Sequence, residues 1–357
     1  MKHKKIGALL LAVMTSAVLS ACAGTPPASS GASSVGADTS QSAAGSSVSE
    51  TADGEYPLVI PHAFGETVIE EKPERVVAIA WGNQDSALAL GVVPEGFSMA
   101  NFGPVDESGN HPWTAAKLKE LGVSQPNVFQ DVDGWDYEAI SDCKPDVILA
   151  AYSGITQEEY DLLSQIAPVV AYPEYAYQTT WRDQILQNAA GMGMKTQGEQ
   201  YVAEMDELIQ KTRAQYPELE GKNGAFLWIS ANDLSTFYIY YPVDPRAGYL
   251  NDLGVAFPEE LNALSDDKTS FSATVSSENI DVLNDVDILI AYGDESLLET
   301  LQADPLYGTV PAIQRGSVVL LDSSSELAAA TTPSALSLPA HVEEYVGLLA
   351  EAAGKVG

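Results

Sequence analysis

The chain has 357 residues and a formal charge of −33, which comes from 17 Lys and Arg against 50 Asp and Glu. This charge excludes nucleic acid as a partner, because phosphate binding requires basic residues. An apolar share of 45% is enough to bury a sizeable core, and the length is typical of two domains. The two cysteines, Cys22 and Cys143, exclude a disulfide framework and a multi-cysteine zinc site within one chain.

The N-terminus is typical of an export signal. Three lysines precede an apolar run over residues 6–19, which is short for a membrane-spanning helix. The sequence Leu-Ser-Ala-Cys that ends at Cys22 resembles a bacterial lipobox. The resemblance implies removal of residues 1–21 and lipidation of Cys22. The protein is then expected on the extracytoplasmic face of the cell membrane, held by lipid alone.

A tether is predicted over residues 22–54. Of the 32 residues from 23 to 54, 26 are Ala, Gly, Ser, Thr or Pro. Such a composition cannot bury enough apolar surface to build a core. The folded region is therefore expected to begin at residue 55.

Beyond the tether, short strand patterns alternate with helical patterns. The strands are predicted at residues 76–80, 147–150, 169–171, 225–230, 288–291 and 318–321. Helices are predicted at residues 87–90 and 157–166, and a last helix carries Val342, Tyr345, Val346, Leu349 and Ala353. This alternation favours parallel sheets that are covered on both faces, and therefore two Rossmann-like α/β lobes.

One longer helix is predicted between the lobes. Apolar residues recur with helical spacing over residues 196–216, and about 20 residues give a rod of roughly 30 Å. It can bridge two lobes, or it can lie on the surface of one. The predicted organisation is a first lobe over 55–195, an inter-lobe helix over 196–217 and a second lobe over 218–357.

A short pattern occurs once in each predicted lobe. Glu138 is followed by Asp146 and a buried strand, and Glu278 is followed by Asp287 and another buried strand. One explanation is that a helix dipole favours an acid near its N-terminus. The other is that each lobe presents one carboxylate to a two-fold symmetric partner.

Several segments along the folded region carry a family resemblance. They are residues 71–77 (EKPERVV), 85–91 (DSALALG), 138–140 (EAI), 144–148 (KPDVI), 166–170 (IAPVV), 181–185 (WRDQI) and 248–254 (GYLNDLG). In this order and spacing, the chain resembles the substrate-binding lipoproteins of iron–siderophore ABC transporters. The phrases AWGNQD at 80–85 and HPW at 111–113 resemble the ferric-siderophore branch of that family.

The resemblance implies a receptor that is not an enzyme and has no cofactor. Two lobes joined by a rigid helix enclose a cleft, and the cargo is an iron(III)–siderophore complex. The receptor, a monomer, delivers this cargo to an ABC permease dimer with its ATPase. The resemblance also implies that Glu138 and Glu278 pair with arginines of the permease. The second match is less complete, because residues 284–287 (NDVD) replace the usual proline–aspartate run.

Candidate cargo contacts are aromatic and arginine side chains near the ends of predicted strands, where open α/β sheets bind ligands. They are Trp81, Tyr152, Trp181, Arg182, Trp228, Tyr238 and Arg246. Arginine suits the oxygens of hydroxamates, catecholates or carboxylates, and aromatic faces suit apolar linkers. The alternatives are core packing for each aromatic residue and an ordinary ion pair for each arginine.

Other functions are less well supported. Direct metal binding is disfavoured because His62, His111 and His341 are far apart in the sequence. Haem and cobalamin are alternative cargoes, since a tyrosine within residues 238–241 could ligate haem iron. Two further alternatives are an adhesive surface lipoprotein and a carboxylate-dependent hydrolase. No Gly-x-Ser-x-Gly, Walker A or His-Glu-x-x-His motif is present.

Overall fold

The structure is a computed structural model that describes residues 55–131, 133–264, 267 and 269–357. The predicted signal at 1–21, the lipidation site Cys22 and the tether at 22–54 lie outside the described residues. Within the described part, no helix is both long enough and apolar enough to cross a membrane.

The first lobe is built on a parallel sheet. Its strands are β1 (Leu58–His62), β2 (Gly65–Ile69), β3 (Val76–Ala78), β4 (Gly96–Ser98), β5 (Val128–Phe129), β6 (Val147–Leu149) and β7 (Val169–Val170). Its helices are α1 (Asn83–Ala89), α2 (Pro112–Glu120), α3 (Tyr137–Asp142), α4 (Gln157–Leu163) and α5 (Trp181–Gly191). Strands β5-β4-β3-β6-β7 pair in that order, all parallel, while β1 and β2 form a separate hairpin.

The long helix α6 (Lys195–Arg213) leads to the second lobe. The strands there are β8 (Gly224–Ser230), β9 (Asp233–Tyr240), β10 (Ser272–Ser276), β11 (Ile288–Tyr292) and β12 (Val318–Leu321). The helices are α7 (Pro245–Asp252), α8 (Glu295–Ala303), α9 (Pro311–Arg315), α10 (Glu326–Ala330) and α11 (Ser337–Ala353). Short 3₁₀ turns occur at Pro217–Leu219, Glu259–Leu264, Ser277–Leu283 and Tyr307–Thr309.

The second sheet is mixed, which corrects the expectation of parallel sheets in both lobes. Its order is β10-β9-β8-β11-β12, with β8, β11 and β12 parallel and β9 antiparallel to both neighbours. Only two residues separate β8 from β9, and a connection this short can join only antiparallel strands. The half-buried alternation of β9 also differs from the continuous apolar runs on which the strand predictions rest.

The α/β architecture and the long helix agree with the predictions, although the helix ends at Arg213, before Pro217. Met205 and Ile209 of α6 are buried in one apolar cluster with Ile185 of α5 and with Val342 and Tyr345 of α11. Helix α6 therefore packs against a helix of the first lobe on one side and the C-terminal helix on the other.

The chain also returns to the first lobe near its C-terminus. Ser334, in the turn before α11, donates a hydrogen bond from Oγ to Asp85 Oδ2 in α1, at 2.5 Å. The ring of His341 in α11 lies edge-on to the ring of Trp113 in α2, with centroids 5.5 Å apart. The lobes are thus joined by helix α6 and again by the segment that contains Ser334.

Candidate functional site

A cavity of about 290 Å³ lies where the strands of the first sheet end. Its lining includes Trp81 after β3, Ser98 at the end of β4, Asp131 after β5, Gly154 after β6 and Tyr177 after β7. All five strands are parallel, so their carboxyl ends meet at one edge. This edge is where open α/β sheets bind ligands.

Trp81 lies in a turn whose flanking residues have positive φ angles. Its neighbours Ala80 and Gly82 have φ of 64° and 69°. A Cβ at position 82 would lie 3.1 Å from the Cβ of Ser334, so glycine also permits the close approach of the C-terminal segment. The indole Nε1 of Trp81 donates to the carbonyl of Thr332 at 3.4 Å. The ring also packs edge-on against His111, with centroids 5.2 Å apart.

Asp85 forms the polar floor of this cavity. The carboxylate is fully buried and accepts hydrogen bonds from Trp113 Nε1 at 2.9 Å, Thr114 Oγ1 at 2.7 Å and Ser334 Oγ. Burial raises its pKa from the ordinary 3.8 to about 6, although the three hydrogen bonds act in the opposite direction. Asp85 therefore holds α1, α2 and the C-terminal segment together through a single charged group.

Asp131 provides a second carboxylate in the lining. It accepts a hydrogen bond from Ser98 Oγ, which in turn accepts one from the backbone N–H of Ala80 at 2.8 Å. Burial raises the pKa of Asp131, and the nearby Asp136 adds to the effect. Glu159 also lines the cavity. None of the described lining residues is a lysine or an arginine.

Tyr177 lines the cavity on the side that meets the second lobe, and Tyr152 packs beside it, outside the lining. Tyr152 is buried, and burial raises its pKa. Its ring lies 6.1 Å from that of Tyr177, which is 47% exposed and lines the cavity. The ring of Tyr177 in turn lies 6.4 Å from that of Phe271 in the second lobe. Gln178 Nε2 donates to the carbonyl of Thr269 at 2.9 Å, so the two lobes touch here.

Arg246 lies on the second-lobe side of these aromatic rings. Its guanidinium donates to both oxygens of the buried Asp244, at 2.8 and 2.6 Å, and lies 4.0 Å from the ring centroid of Tyr240. The Tyr240 ring stacks on that of Phe271. Burial alone would lower the pKa of Arg246, but the ion pair with Asp244 raises it, so the residue is a fixed cation.

Trp228 and Tyr238 are cross-strand partners on β8 and β9. Their ring centroids are 5.4 Å apart, and Trp228 is 42% exposed. Side chains two residues apart share a face of a sheet, so this pair lies on the same face as Phe226 and Tyr240. Phe226 contacts Tyr292, which meets Phe102 of the first lobe at 5.3 Å. The aromatic surface of the second lobe therefore faces the first lobe.

The structure does not bring Trp181 and Arg182 into the cavity. Trp181 is buried in the apolar cluster of α6, and its Nε1 donates to Asp252 Oδ2 at 2.9 Å. Arg182 donates to Asp206 of α6 and Asp252 of α7 and lies 4.3 Å from the Trp181 ring. The two residues open α5, and that helix directs them to the junction of α5, α6 and α7.

Glu138 and Glu278 occupy matching places in the two lobes. Each is exposed and lies in the first turn of a short helix, α3 for Glu138 and the 3₁₀ turn 277–283 for Glu278. Asp146 then accepts from the backbone N–H of Arg75 at 2.9 Å, and Asp287 accepts from that of Asn223 at 3.1 Å. The repeated pattern is thus a repeated structural unit, although the second helix is 3₁₀.

Several residues of the cavity are not among the cargo contacts predicted from the sequence. They are Gln84, Asp85, Ser98, His111, Asp131 and Tyr177. Asp131 follows a strand of only two residues, which leaves no periodic signal. Cys143 is a buried free cysteine, and burial raises the pKa of its thiol. In the described part of the chain, no three His, Cys, Asp or Glu residues are placed to hold a metal ion.

A model of the periplasmic binding protein family matches residues 76–325, a range that spans both five-stranded sheets and every residue of the cavity lining except Ser334. The chain belongs to the periplasmic binding protein family. Its members are solute receptors rather than enzymes, so the family agrees with the receptor function that the sequence predicts. The hydrolase alternative has no support from this assignment.

Individual periplasmic binding proteins are also similar to the chain. A crystal structure of PiaA from Streptococcus pneumoniae in complex with ferrichrome is 47% identical, with a TM-score of 0.80, and covers 84% of this chain and 99% of that one. A second structure of PiaA, an iron uptake ABC transporter substrate-binding protein, is also 47% identical, with a TM-score of 0.77 over 84% and 100% of the two chains. The Fe(3+) dicitrate-binding periplasmic protein FecB of Escherichia coli is 26% identical over 75% of this chain and 86% of its own length.

Proposed function

We propose that the protein is an extracytoplasmic receptor that binds a ferric siderophore and delivers it to an ABC-type permease for iron uptake. The observation that carries this proposal is the 47% identity to PiaA over nearly the whole folded region, since that protein binds ferrichrome. The cavity at the strand ends, with its aromatic lining, supports the same function. The iron reaches the protein already chelated, so no protein metal ligand or cofactor is needed.

The chemistry of the cavity favours a hydroxamate complex over an anionic one. The similar proteins bind ferrichrome, a hydroxamate, in one case and ferric dicitrate in another. Iron held by three hydroxamates is electroneutral, whereas citrate and catecholate complexes carry negative charge. Asp85, Asp131 and Glu159 line the cavity, and no lysine or arginine is present among its described lining residues. An anionic complex would be repelled there.

The proposed cargo contacts are the candidates that surround the cleft. Trp81 and Tyr152 come from the first lobe, and Trp228, Tyr238 and Arg246 come from the second. Their aromatic faces suit the apolar arms of a siderophore, and the guanidinium suits its iron-bound oxygens. Trp181 and Arg182 are not part of this proposal, because both are used in contacts among α5, α6 and α7.

Glu138 and Glu278 are proposed as the contacts with the permease dimer. Each is exposed at the start of a short helix, one in each lobe. A permease made of two like subunits presents two like surfaces, and two carboxylates in equivalent places suit it. The ATPase that drives transport would act through that permease.

Attachment to the membrane is proposed to occur through lipid on Cys22. Residues 1–21 would be removed as a signal, and residues 22–54 would tether the folded region, as a monomer, to the outer face of the cell membrane. Mass spectrometry of the purified protein tests this directly. A diacylglyceryl mass on an N-terminal Cys22 is expected, and an intact residue 1 would contradict it.

Tryptophan fluorescence provides the test of cargo. Trp81, Trp113 and Trp135 line the cavity, so a bound iron chelate will quench them. Residues 55–357 are titrated with ferrichrome, a ferric catecholate, ferric dicitrate, haem and cobalamin. Saturable quenching by ferrichrome at the lowest concentration is expected. Saturation by haem or cobalamin alone would contradict the siderophore assignment, and no saturation at all would favour an adhesive role.

A further inference from the structure

The polar groups of the cavity include a histidine that presents only an acceptor. The side chain of His111 is 96% buried, since 4% is exposed, and its Nδ1 lies 3.2 Å from the carbonyl oxygen of Pro104. A carbonyl accepts, so Nδ1 carries the proton, and in a neutral ring Nε2 is then an acceptor. Burial lowers the pKa of His111, which favours the neutral ring. Within the described residues, Nε2 has no hydrogen-bond partner.

Other acceptors line the same cavity. The Oε1 atom of Gln84 is buried and also has no partner in the described part of the chain. The hydroxyl of Ser98 accepts from the N–H of Ala80, so its own proton goes to Asp131. A carboxylate can accept about four hydrogen bonds, and Ser98 supplies only one of them to Asp131. The cavity lining therefore contains acceptors and negative charge, and no lysine or arginine is found among its described residues.

Aromatic rings complete the environment of these acceptors. Trp81, Trp113, Trp135 and Tyr177 all line the cavity. Indole faces attract cations, and quaternary or primary ammonium groups are commonly held by aromatic rings beside a carboxylate. The volume of about 290 Å³ is at the lower end of the range for small-molecule sites, so it suits one end of a cargo better than a whole ferric complex.

We propose that this part of the first lobe is a subsite for a primary ammonium group, carried by the free end of a linear ferric hydroxamate siderophore. Asp131 is the counter-ion, the indoles enclose the alkyl chain and charge, and His111 accepts a further N–H. The iron centre of the cargo then lies toward Arg246 and the aromatic face of the second lobe. This inference rests on the proposed function and specifies which member of the hydroxamate class binds best.

The test compares two cargoes that share one iron centre. One is a linear ferric trihydroxamate that ends in a primary ammonium, and the other is the same molecule with that nitrogen acetylated. Acetylation removes the charge but keeps an N–H donor. Dissociation constants are measured by fluorescence quenching and calorimetry with the full chain in detergent, with ferrichrome as the reference cargo. The acetylated complex is expected to bind about tenfold or more weakly than the ammonium form.

Two variants assign the preference to a residue. Asp131→Asn keeps the size of the side chain and can still accept from Ser98, and it is expected to remove most of the preference for ammonium. Glu158→Gln makes the same charge change at an exposed residue beside the cavity residue Glu159 and is expected to keep the preference. Thermal melting verifies that both variants are folded.

The outcomes separate this inference from the proposed function. If ferrichrome binds but the ammonium and acetylated complexes bind equally well, the subsite is wrong and the receptor function stands. A preference that persists in Asp131→Asn, or an equal loss of both complexes in that variant, would also overturn the subsite. If none of the three ferric complexes binds, the proposed function itself fails.

Discussion

The two five-stranded sheets have the same strand order, with β3 in the centre of one and β8 in the centre of the other. The two lobes nevertheless present different surfaces to the cleft. In the first lobe all strands of the main sheet are parallel, so five successive loops bring polar and aromatic side chains to one edge. In the second lobe β9 runs in the opposite direction, and a sheet face with Trp228, Tyr238 and Tyr240 takes the place of converging loops. The first lobe therefore provides acceptors and carboxylates beside its aromatic rings, and the second lobe provides aromatic rings and the cation Arg246. A duplicated architecture can thus produce a cleft with two chemically distinct sides.

The largest effect is expected where the lobes are alike rather than different. Reversing both Glu138 and Glu278 to Lys should abolish iron uptake, because both docking charges are lost, yet leave the cargo dissociation constant unchanged. Uptake of radioactive iron in cells and fluorescence titration of the purified protein measure the two quantities. The matched control reverses Glu158 and Glu299, one exposed acid from each lobe. Weaker cargo binding in the first double variant would contradict the docking role.

The next effect concerns Asp85, which joins the first lobe to the C-terminal segment. Its pKa is raised to about 6 in the folded protein, so between pH 4 and 6 the folded state binds the extra proton. The stability that Asp85 contributes is then complete below pH 4 and lost as the pH rises through 6. Relative to Asp85→Asn, the wild type should lose on the order of 3 kcal/mol between pH 4 and 7. Urea unfolding of both proteins across that range measures the difference, and parallel curves would exclude the raised pKa.

A somewhat smaller effect on cargo binding is expected from the second lobe. Arg246→Ala should weaken binding of the ferric complex by about 1.5–3 kcal/mol, since a charge-assisted hydrogen bond is lost. Because the variant also leaves Asp244 buried without its cation, Arg246→Lys is measured beside it to separate charge from geometry. An unchanged dissociation constant in both variants would remove Arg246 from the site.

The smallest effect distinguishes Arg182 from Arg246, both of which are predicted from the sequence as cargo contacts. Arg182 pairs with Asp206 and Asp252 among α5, α6 and α7. Arg182→Ala should therefore lower the free energy of unfolding by about 1–2 kcal/mol and leave the cargo affinity unchanged. Denaturant unfolding and the same fluorescence titration provide both numbers. A loss of affinity without a loss of stability would return Arg182 to the cargo site.

Elements that depend on local sequence were predictable, whereas contacts between distant segments were not. The buried runs at β3, β6 and β11 and the periodicity of α6 gave the architecture, because apolar spacing follows local geometry. Strand β9 was not predicted because its residues alternate between the two faces of the sheet, whereas the strand predictions relied on continuous apolar runs. The cluster around Asp85 joins residues up to 249 positions apart, and no local pattern encodes such a meeting.

The two arginines show the same limit for the site. Arg182 and Arg246 both follow predicted strands and both lie among aromatic residues in the sequence. Helix phase separates them: Arg182 in α5 turns toward α6 and α7, while Arg246 at the start of α7 turns toward Tyr240. A sequence shows that a residue is near a strand end, but the direction of its side chain depends on the helix that carries it.

The double connection between the lobes has a consequence for the energetics of capture. Helix α6 and the segment around Ser334 restrain the lobes at two separate places. A cleft restrained in this way is preorganised, so little conformational entropy is lost when cargo enters. A small number of contacts can then sustain a tight complex. The same restraint means that the permease has to drive release of the iron, since the receptor has little conformational freedom of its own.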